Sequence, residues 1–286
     1  MTVLVLGGGQ IATAVCRAAS ASHAIIALTR SELDITDAGG VLESFARFKP
    51  DWVINAAAYT AVDRAEDEPA QARAVNDAAV AILAESAQRE GAKLLHLSTD
   101  FVFDGKSARA YLPGDAANPV NVYGTTKLAG ERHVLAGRTG IVLRTSWVYA
   151  AAGKNFVLTM LRLMNEREQI SVVCDQIGTP TWATSVAAAV WGLIDAAAHG
   201  GVYHWADLGV ASWYDFAVAI HDEALERGLL AHPVSILPIA SANYPARAIR
   251  PGFTVLDTAS TRITIKNQGR HWRHNLMKML DEIRAA

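Results

Sequence analysis

Thr2-Val3-Leu4-Val5-Leu6-Gly7-Gly8-Gly9-Gln10-Ile11-Ala12 opens the chain with an aliphatic run that ends in three glycines. Such a run suits a strand buried on both faces of a parallel sheet. The pattern then changes to Thr13-Ala14-Val15-Cys16-Arg17-Ala18-Ala19, which reads as an amphipathic helix. Strand, glycine turn and helix, in that order, form the phosphate-binding unit of a dinucleotide site. Gly7 suits the tight turn, Gly9 lets the backbone approach a pyrophosphate, and Ala12 lets helix pack closely on strand. Gln10 and Ile11 begin the helix, whose free N–H groups and dipole would face the phosphates. An ordinary glycine-rich connection would look similar, but its place directly after the first strand favours the dinucleotide.

Ala24-Ile25-Ile26-Ala27-Leu28 reads as a second strand, followed by Thr29-Arg30-Ser31. An NAD site commonly carries an acid here for the ribose 2′-hydroxyl. The guanidinium of Arg30 instead matches the geometry of a 2′-phosphate. NADPH is therefore expected over NADH, while Glu32 and Asp34 close by keep NADH open.

The alternation continues. Asp51 to Asn55, Lys93 to Ser98 and Gly140 to Arg144 read as further strands, and Ala70 to Gln88 as a long helix. Repeated βα units predict a Rossmann-type, doubly wound parallel sheet, α/β in class, with helices on both faces. Ligands on such sheets bind beyond the carboxyl ends of the strands. Here those ends are Gly7 to Gly9, Ala58-Tyr59-Thr60 and Thr99-Asp100, all directed at one crevice. Past residue 150 the rhythm breaks into short strands, among them Gly201 to Trp205, with prolines at 233, 238, 245 and 251. The expected division is a nucleotide-binding domain over 1–150 and a mainly substrate-binding, mixed α/β lobe over 151–286. A helix near 186–198 returns to the main sheet.

At 286 residues, with 51% hydrophobic and 19% charged residues, the chain can bury a large core. A formal net charge of −2 gives no electrostatic case for nucleic acid or an anionic membrane. Cys16 and Cys174 are the only cysteines, and neither a CxxC nor an HExxH pattern occurs, so no metal site is expected. No basic leader with an apolar core and no membrane-length apolar run is present, so the expected location is cytoplasmic.

Tyr123-Gly124-Thr125-Thr126-Lys127 pairs a phenol with an ammonium four residues apart, on one face if the segment is helical. A cation ~4 Å from a phenol, at an effective dielectric of ~20, is worth at most about three pKa units. Lys127 is therefore expected to lower the pKa of Tyr123, a group able to protonate a carbonyl oxygen as hydride reaches its carbon.

Several blocks together resemble the extended short-chain dehydrogenase/reductase family over nearly the whole length. They are Asn55 to Asp63, Ser98 to Phe103, Asn121 to Gly124, Thr126 to Glu131, Arg144 to Tyr149, Asp175 to Thr181, and in part Arg250-Pro251 and Leu256-Asp257. Within the family they are most similar to the branch acting on dTDP-linked 4-keto sugars. The resemblance implies reduction of the C4 ketone of dTDP-4-dehydro-β-L-rhamnose by NADPH. It makes Tyr123 the general acid, Lys127 the holder of the nicotinamide ribose, and Thr99 a second hydrogen-bond donor to the ketone. Asp100 would accept from a sugar hydroxyl and Trp147 would stack on the sugar, with core packing as the alternative for the indole. Arg250 would meet the nucleotide diphosphate, with a surface salt bridge as its alternative. Asp34 and Ile35 would lie at the adenine, and Ala58, Tyr59 and Thr60 nearest the rest of the cofactor.

The chain also departs from the family pattern. Its glycine loop is one residue shorter than the usual GxxGxxG. Ala14 stands where some relatives carry a glutamate that helps bind magnesium between subunits, which argues against a metal-bridged pair, although a homodimer stays open. Ile249 replaces a second arginine. Phe101 follows Asp100 where dehydratases of this fold carry a glutamate, so dehydration lacks its base. Other readings are a reductase of another dTDP-4-keto-6-deoxyhexose, an epimerase with tightly held NAD, and a non-catalytic NADP-binding regulatory subunit like the β subunit of methionine adenosyltransferase.

Overall fold

Six strands make one parallel sheet: β1 (Thr2–Leu6), β2 (Ala24–Leu28), β3 (Trp52–Asn55), β4 (Lys93–Thr99), β5 (Ile141–Thr145) and β6 (Gly201–His204). Their spatial order is β6-β5-β4-β3-β1-β2. The structure, a computed structural model, describes residues 1–137 and 139–285. Ala286, the last residue of the expected second lobe, lies outside the described residues.

The chain steps from β1 to β2 on one side and then to β3 on the other, with Val3 opposite both Ile25 and Trp52. That reversal opens a crevice between the ends of β1 and β3, where ligands of such sheets bind. Gly7 leaves β1 at φ +117°, and a Cβ on it would lie 3.0 Å from the backbone of Ala56 and Ala57. Only glycine lets the two strand ends converge there.

Strand alternation sends Val3 and Val5 to one face and Leu4 and Leu6 to the other. The first pair packs with Val15 and Trp191, the second with Val80 and Leu83, all buried. These partners come from α1 (Gln10–Arg17), α2 (Ala79–Glu90) and a helix at Ala183–Asp195 that the Trp191 indole ties to the Val15 carbonyl at 2.9 Å. Each such aliphatic contributes about 1.5–3 kcal/mol through burial.

Two expectations need correction. The helix read as continuous from Ala70 to Gln88 runs as Pro69–Arg73, a π-helical turn at Ala74–Ala78, and α2. The turn directs Asn76 toward the backbone of Tyr59. Gly201 to Trp205, read as part of the smaller lobe, supplies β6, with Val202 opposite Val142 of β5. The helix at Ala183–Asp195, expected near 186–198, crosses the α1 face and delivers the chain to the open edge of β5.

A second core gathers Tyr149, Val157, Met164, Phe216, Ile220 and Leu276. Helices Phe156–Glu166, Trp213–Glu226 and Trp272–Ala285 supply most of it, beside a parallel pair of strands, Gln169–Val173 and Ser235–Ile239. Among the described residues no helix is long and apolar enough to cross a membrane.

The helix that carries Tyr123, α3 (Val122–Ala136), is capped by Asn121, whose Oδ1 accepts from the Gly124 N–H at 2.7 Å. A Cβ on Gly124 would collide with the Phe101 carbonyl oxygen. Gly124→Ala is therefore expected to lower the unfolding free energy by about 1–3 kcal/mol in denaturant titrations. Gly114→Ala, where a Cβ would meet nothing, should stay within about 0.5 kcal/mol of the parent.

Candidate active site

β4 ends at the crevice, and its last residues set the wall. Thr99 Oγ1 donates to Asp100 Oδ1 at 3.0 Å and accepts from the Phe101 N–H at 3.1 Å. Asp100 is buried, and its Oδ2 has no protein partner. Burial pushes the Asp100 carboxyl up to about 6, with the Thr254 and Thr99 hydroxyls pulling the other way. Thr145 Oγ1, at the end of β5, is likewise buried and unpaired. Buried polar atoms without partners mark places a ligand can satisfy. Both residues line a cavity of about 360 Å³ together with Gly9, Tyr123, Lys127 and Trp147.

Tyr123 stands on the first turn of α3 with the Phe101 ring edge-on at 5.9 Å. Lys127 lies one turn on and is 2% exposed. The spacing thus brings both groups to one wall. The expected effect of lysine on phenol is absent, however. Lys127 Nζ donates to the Leu97 carbonyl at 2.6 Å and lies 3.1 Å from His96 Nε2, so its reach is taken up by β4. Burial pushes Tyr123 up to about 12, with the Thr99 hydroxyl opposing and Asp100 adding to the rise. Burial also pulls Lys127 down to about 8, against the pull of Glu131. Tyr123 is therefore a protonated acid across the neutral range, and the group that titrates there is the lysine.

Beneath this wall lies a buried network. Glu131 of α3 accepts from Arg144 of β5 in bidentate fashion, at 2.9 and 2.6 Å, and from the Ser98 hydroxyl. His204 of β6 lies 3.4 Å from Arg144, and burial beside that cation drops its pKa to about 3.

The nucleotide side is built from loops. Gly9 precedes α1 without any side-chain cap, and a Cβ there would meet nothing within 4 Å, so the helix N-terminus is open. Gln10 is not free: its amide bonds the Lys154 carbonyl at 3.3 Å and Asn155 at 2.8 Å, which ties the segment after β5 to the glycine turn. Between the two lies a hollow of about 620 Å³ that shares Gly9, Gln10, Thr60 and Lys154 with the first cavity. Ile11, Ala58 and Thr60 line the crevice. The Tyr59 hydroxyl instead donates to Glu68 at 2.6 Å. Arg30 is exposed beyond β2, its Nε 3.5 Å from Asp34. Asp34 also accepts from the Thr36 N–H and hydroxyl, and Ile35 is buried in the core.

Two of the residues expected to meet the substrate are engaged by protein. Arg250 makes a bidentate pair with Asp63 at 3.1 and 2.7 Å, the alternative weighed for it from sequence, and keeps 22% of its side chain exposed. Trp147, at φ +46°, stacks flat on Trp213, centroids 3.5 Å apart and planes within 4°. One indole face is thereby covered.

Sequence reasoning missed four participants: Asn76, Trp213, His96 and Asn55 as a polar contact. Asn76 clamps Tyr59 through both backbone groups, at 2.9 and 3.0 Å, and reaches Thr126 of α3 at 3.2 Å. Its one signal was a polar residue on the apolar stripe of a helix.

The profile of the family described as RmlD substrate binding domain matches residues 1–285. The chain is 41% identical to dTDP-4-dehydrorhamnose reductase of Burkholderia thailandensis, covering 96% of each chain. It is 39% identical to the protein of that name from Aggregatibacter actinomycetemcomitans, covering 94% of each. The crystal structure of dTDP-4-dehydrorhamnose reductase from Bacillus anthracis in complex with NADP superimposes with a TM-score of 0.93 at 33% identity. That match covers 98% of this chain and 99% of the other.

These values shape a pH profile. Ionised Asp100 accepts hydrogen bonds above about pH 6, and Lys127 loses its charge above about pH 8. For any substrate turned over in this crevice, kcat/KM is expected to rise through about pH 6 and fall through about pH 8. Asp100→Asn should remove the acid flank and leave the alkaline one; a profile with both flanks kept contradicts the assignment.

Proposed function

The chain belongs to the RmlD substrate binding domain family, and from that membership and the crevice geometry we propose that it reduces dTDP-4-dehydro-β-L-rhamnose to dTDP-β-L-rhamnose. It acts as an NADPH-dependent oxidoreductase of dTDP-L-rhamnose synthesis, a cytoplasmic task. The observation that carries this reading is the joint placement of Tyr123, Lys127, Thr99 and Asp100 around one cavity that opens onto the glycine turn.

The residues present fit a dinucleotide. The uncapped N-terminus of α1 and the open Gly9 face accommodate a pyrophosphate, and the exposed Arg30 suits a 2′-phosphate. NADPH, when bound, supplies the hydride. Lys127 holds the nicotinamide ribose hydroxyls. Tyr123 donates its phenolic proton to the C4 oxygen, and Thr99 holds that oxygen in line. A phenol near 12 keeps its proton until the more basic alkoxide forms. Asp100 receives a sugar hydroxyl on its unpaired Oδ2. Trp147 meets the sugar where its indole lines the cavity, and Arg250 meets the nucleotide diphosphate by exchanging its pair with Asp63. The smaller core, drawn from 149–172 and 211–280, serves as the substrate lobe on a nucleotide-binding domain of 1–150 to which 183–204 return.

Purified protein given NADPH and the 4-keto sugar nucleotide is expected to oxidise NADPH in step with dTDP-L-rhamnose formation. Tyr123→Phe should lower kcat by about 10²–10⁴ with NADPH affinity unchanged. Retention of most turnover by this variant rules out the proton-donor role. Arg30→Ala should lower the preference for NADPH over NADH, measured as the ratio of kcat/KM values. An unchanged ratio contradicts the 2′-phosphate contact.

A further inference from the structure

His96 is fully buried in the middle of β4, where two side-chain nitrogens meet its ring. On one side is Asn55 of β3. Its Oδ1 accepts the Ala57 N–H at 3.1 Å, which fixes the amide orientation and leaves Nδ2 facing His96 Nδ1 at 3.0 Å. Nδ1 must therefore accept. On the other side Nε2 faces Lys127 Nζ at 3.1 Å. Burial and the nearby lysine hold the His96 ring neutral. A neutral imidazole carries one proton, so with Nδ1 accepting it resides on Nε2. The ring then presents an N–H to the lysine. An ammonium has three donors and no lone pair and is opposed by that N–H, whereas a neutral amine accepts it.

We propose that Asn55 fixes the tautomer of His96 so that an N–H meets Lys127, making His96 a positioning residue that weakens the hold of Lys127 on its proton. The neutral amine donates to Leu97 and keeps one N–H for the ribose hydroxyls where the ammonium has two, so turnover falls as Lys127 loses its proton. The other charged or titratable groups near Lys127 are Tyr123 and Glu131 on α3, Arg144 on β5, which Glu131 holds, and Asp100 after β4. Burial lowers the lysine pKa to about 8 against the pull of Glu131, and the opposed N–H of His96 acts in the same direction as burial. The catalytic consequence rests on the reductase reading; the tautomer does not.

The test labels histidine ring nitrogens with ¹⁵N in the full chain and records long-range proton–nitrogen spectra, the His96 signal being assigned by its loss in His96→Gln. The expected pattern is the Nε2–H tautomer throughout, with a shift change when Lys127 titrates near pH 8. The Nδ1–H form, or an imidazolium at neutral pH, overturns the proposal whether or not the protein reduces a sugar. In Asn55→Ala the lock is gone, and the alkaline flank of kcat/KM should move up by on the order of one pH unit. A slower variant with an unmoved flank means a structural role only and overturns the link to Lys127. Should that variant not fold, the spectrum of the parent protein still decides. Absence of reduction with the predicted tautomer intact would fault the functional reading alone.

Discussion

The contact between Lys127 Nζ and the Leu97 carbonyl, 2.6 Å long and buried, is the tie on which the candidate site depends. It pins α3 to β4 at the level where Thr99 and Asp100 emerge, so the phenol, the hydroxyl and the carboxylate keep a fixed relation. Two further constraints hold the same seam. The missing Cβ of Gly124 admits the Phe101 carbonyl, and Asn121 caps α3 while its Nδ2 reaches the Ile249 carbonyl at 2.9 Å. The helix is thus set against the strand end by backbone shape and one buried amine, and linked to the segment that carries Arg250.

Under the seam, charge is arranged to be costly to disturb. The Glu131–Arg144 pair joins α3 to β5 with both side chains at most 5% exposed. Such a pair adds little net stability over a well-packed apolar one, but loss of one partner strands the other, at a cost of about 3–5 kcal/mol. The neutral His204 beside Arg144 closes the network toward β6. Burial is also what separates the titrating groups, raising Asp100 and Tyr123 and lowering Lys127. Burial thereby keeps the tyrosine protonated and brings the aspartate and the lysine toward neutrality, to about 6 and about 8.

The sheet, the glycine turn and the Tyr123/Lys127 pair were legible in the sequence because each rests on local spacing. A short aliphatic run, a glycine at a strand end and a four-residue helical offset need no knowledge of the rest of the chain. The errors fall where distant residues decide. The β6 strand looks like any short apolar run, and its place beside β5 follows only from how the Ala183–Asp195 helix crosses α1. Asn76 interrupts a helix for Tyr59, 17 residues away, and Arg250 finds Asp63 across 187. The spacing placed Lys127 on the right face but could not tell that His96 and Leu97 would claim its amine. The expected lowering of Tyr123 therefore gave way to a rise.

Delivery of hydride to C4 of a dTDP-linked sugar is the reaction proposed for this crevice. The most direct measurement incubates the protein with NADPH deuterated at its hydride-donating position and dTDP-4-dehydro-L-rhamnose, then locates the label by NMR. Deuterium is expected on carbon C4 of the product, in one configuration. Product without label at C4, or label found elsewhere on the sugar, would contradict it.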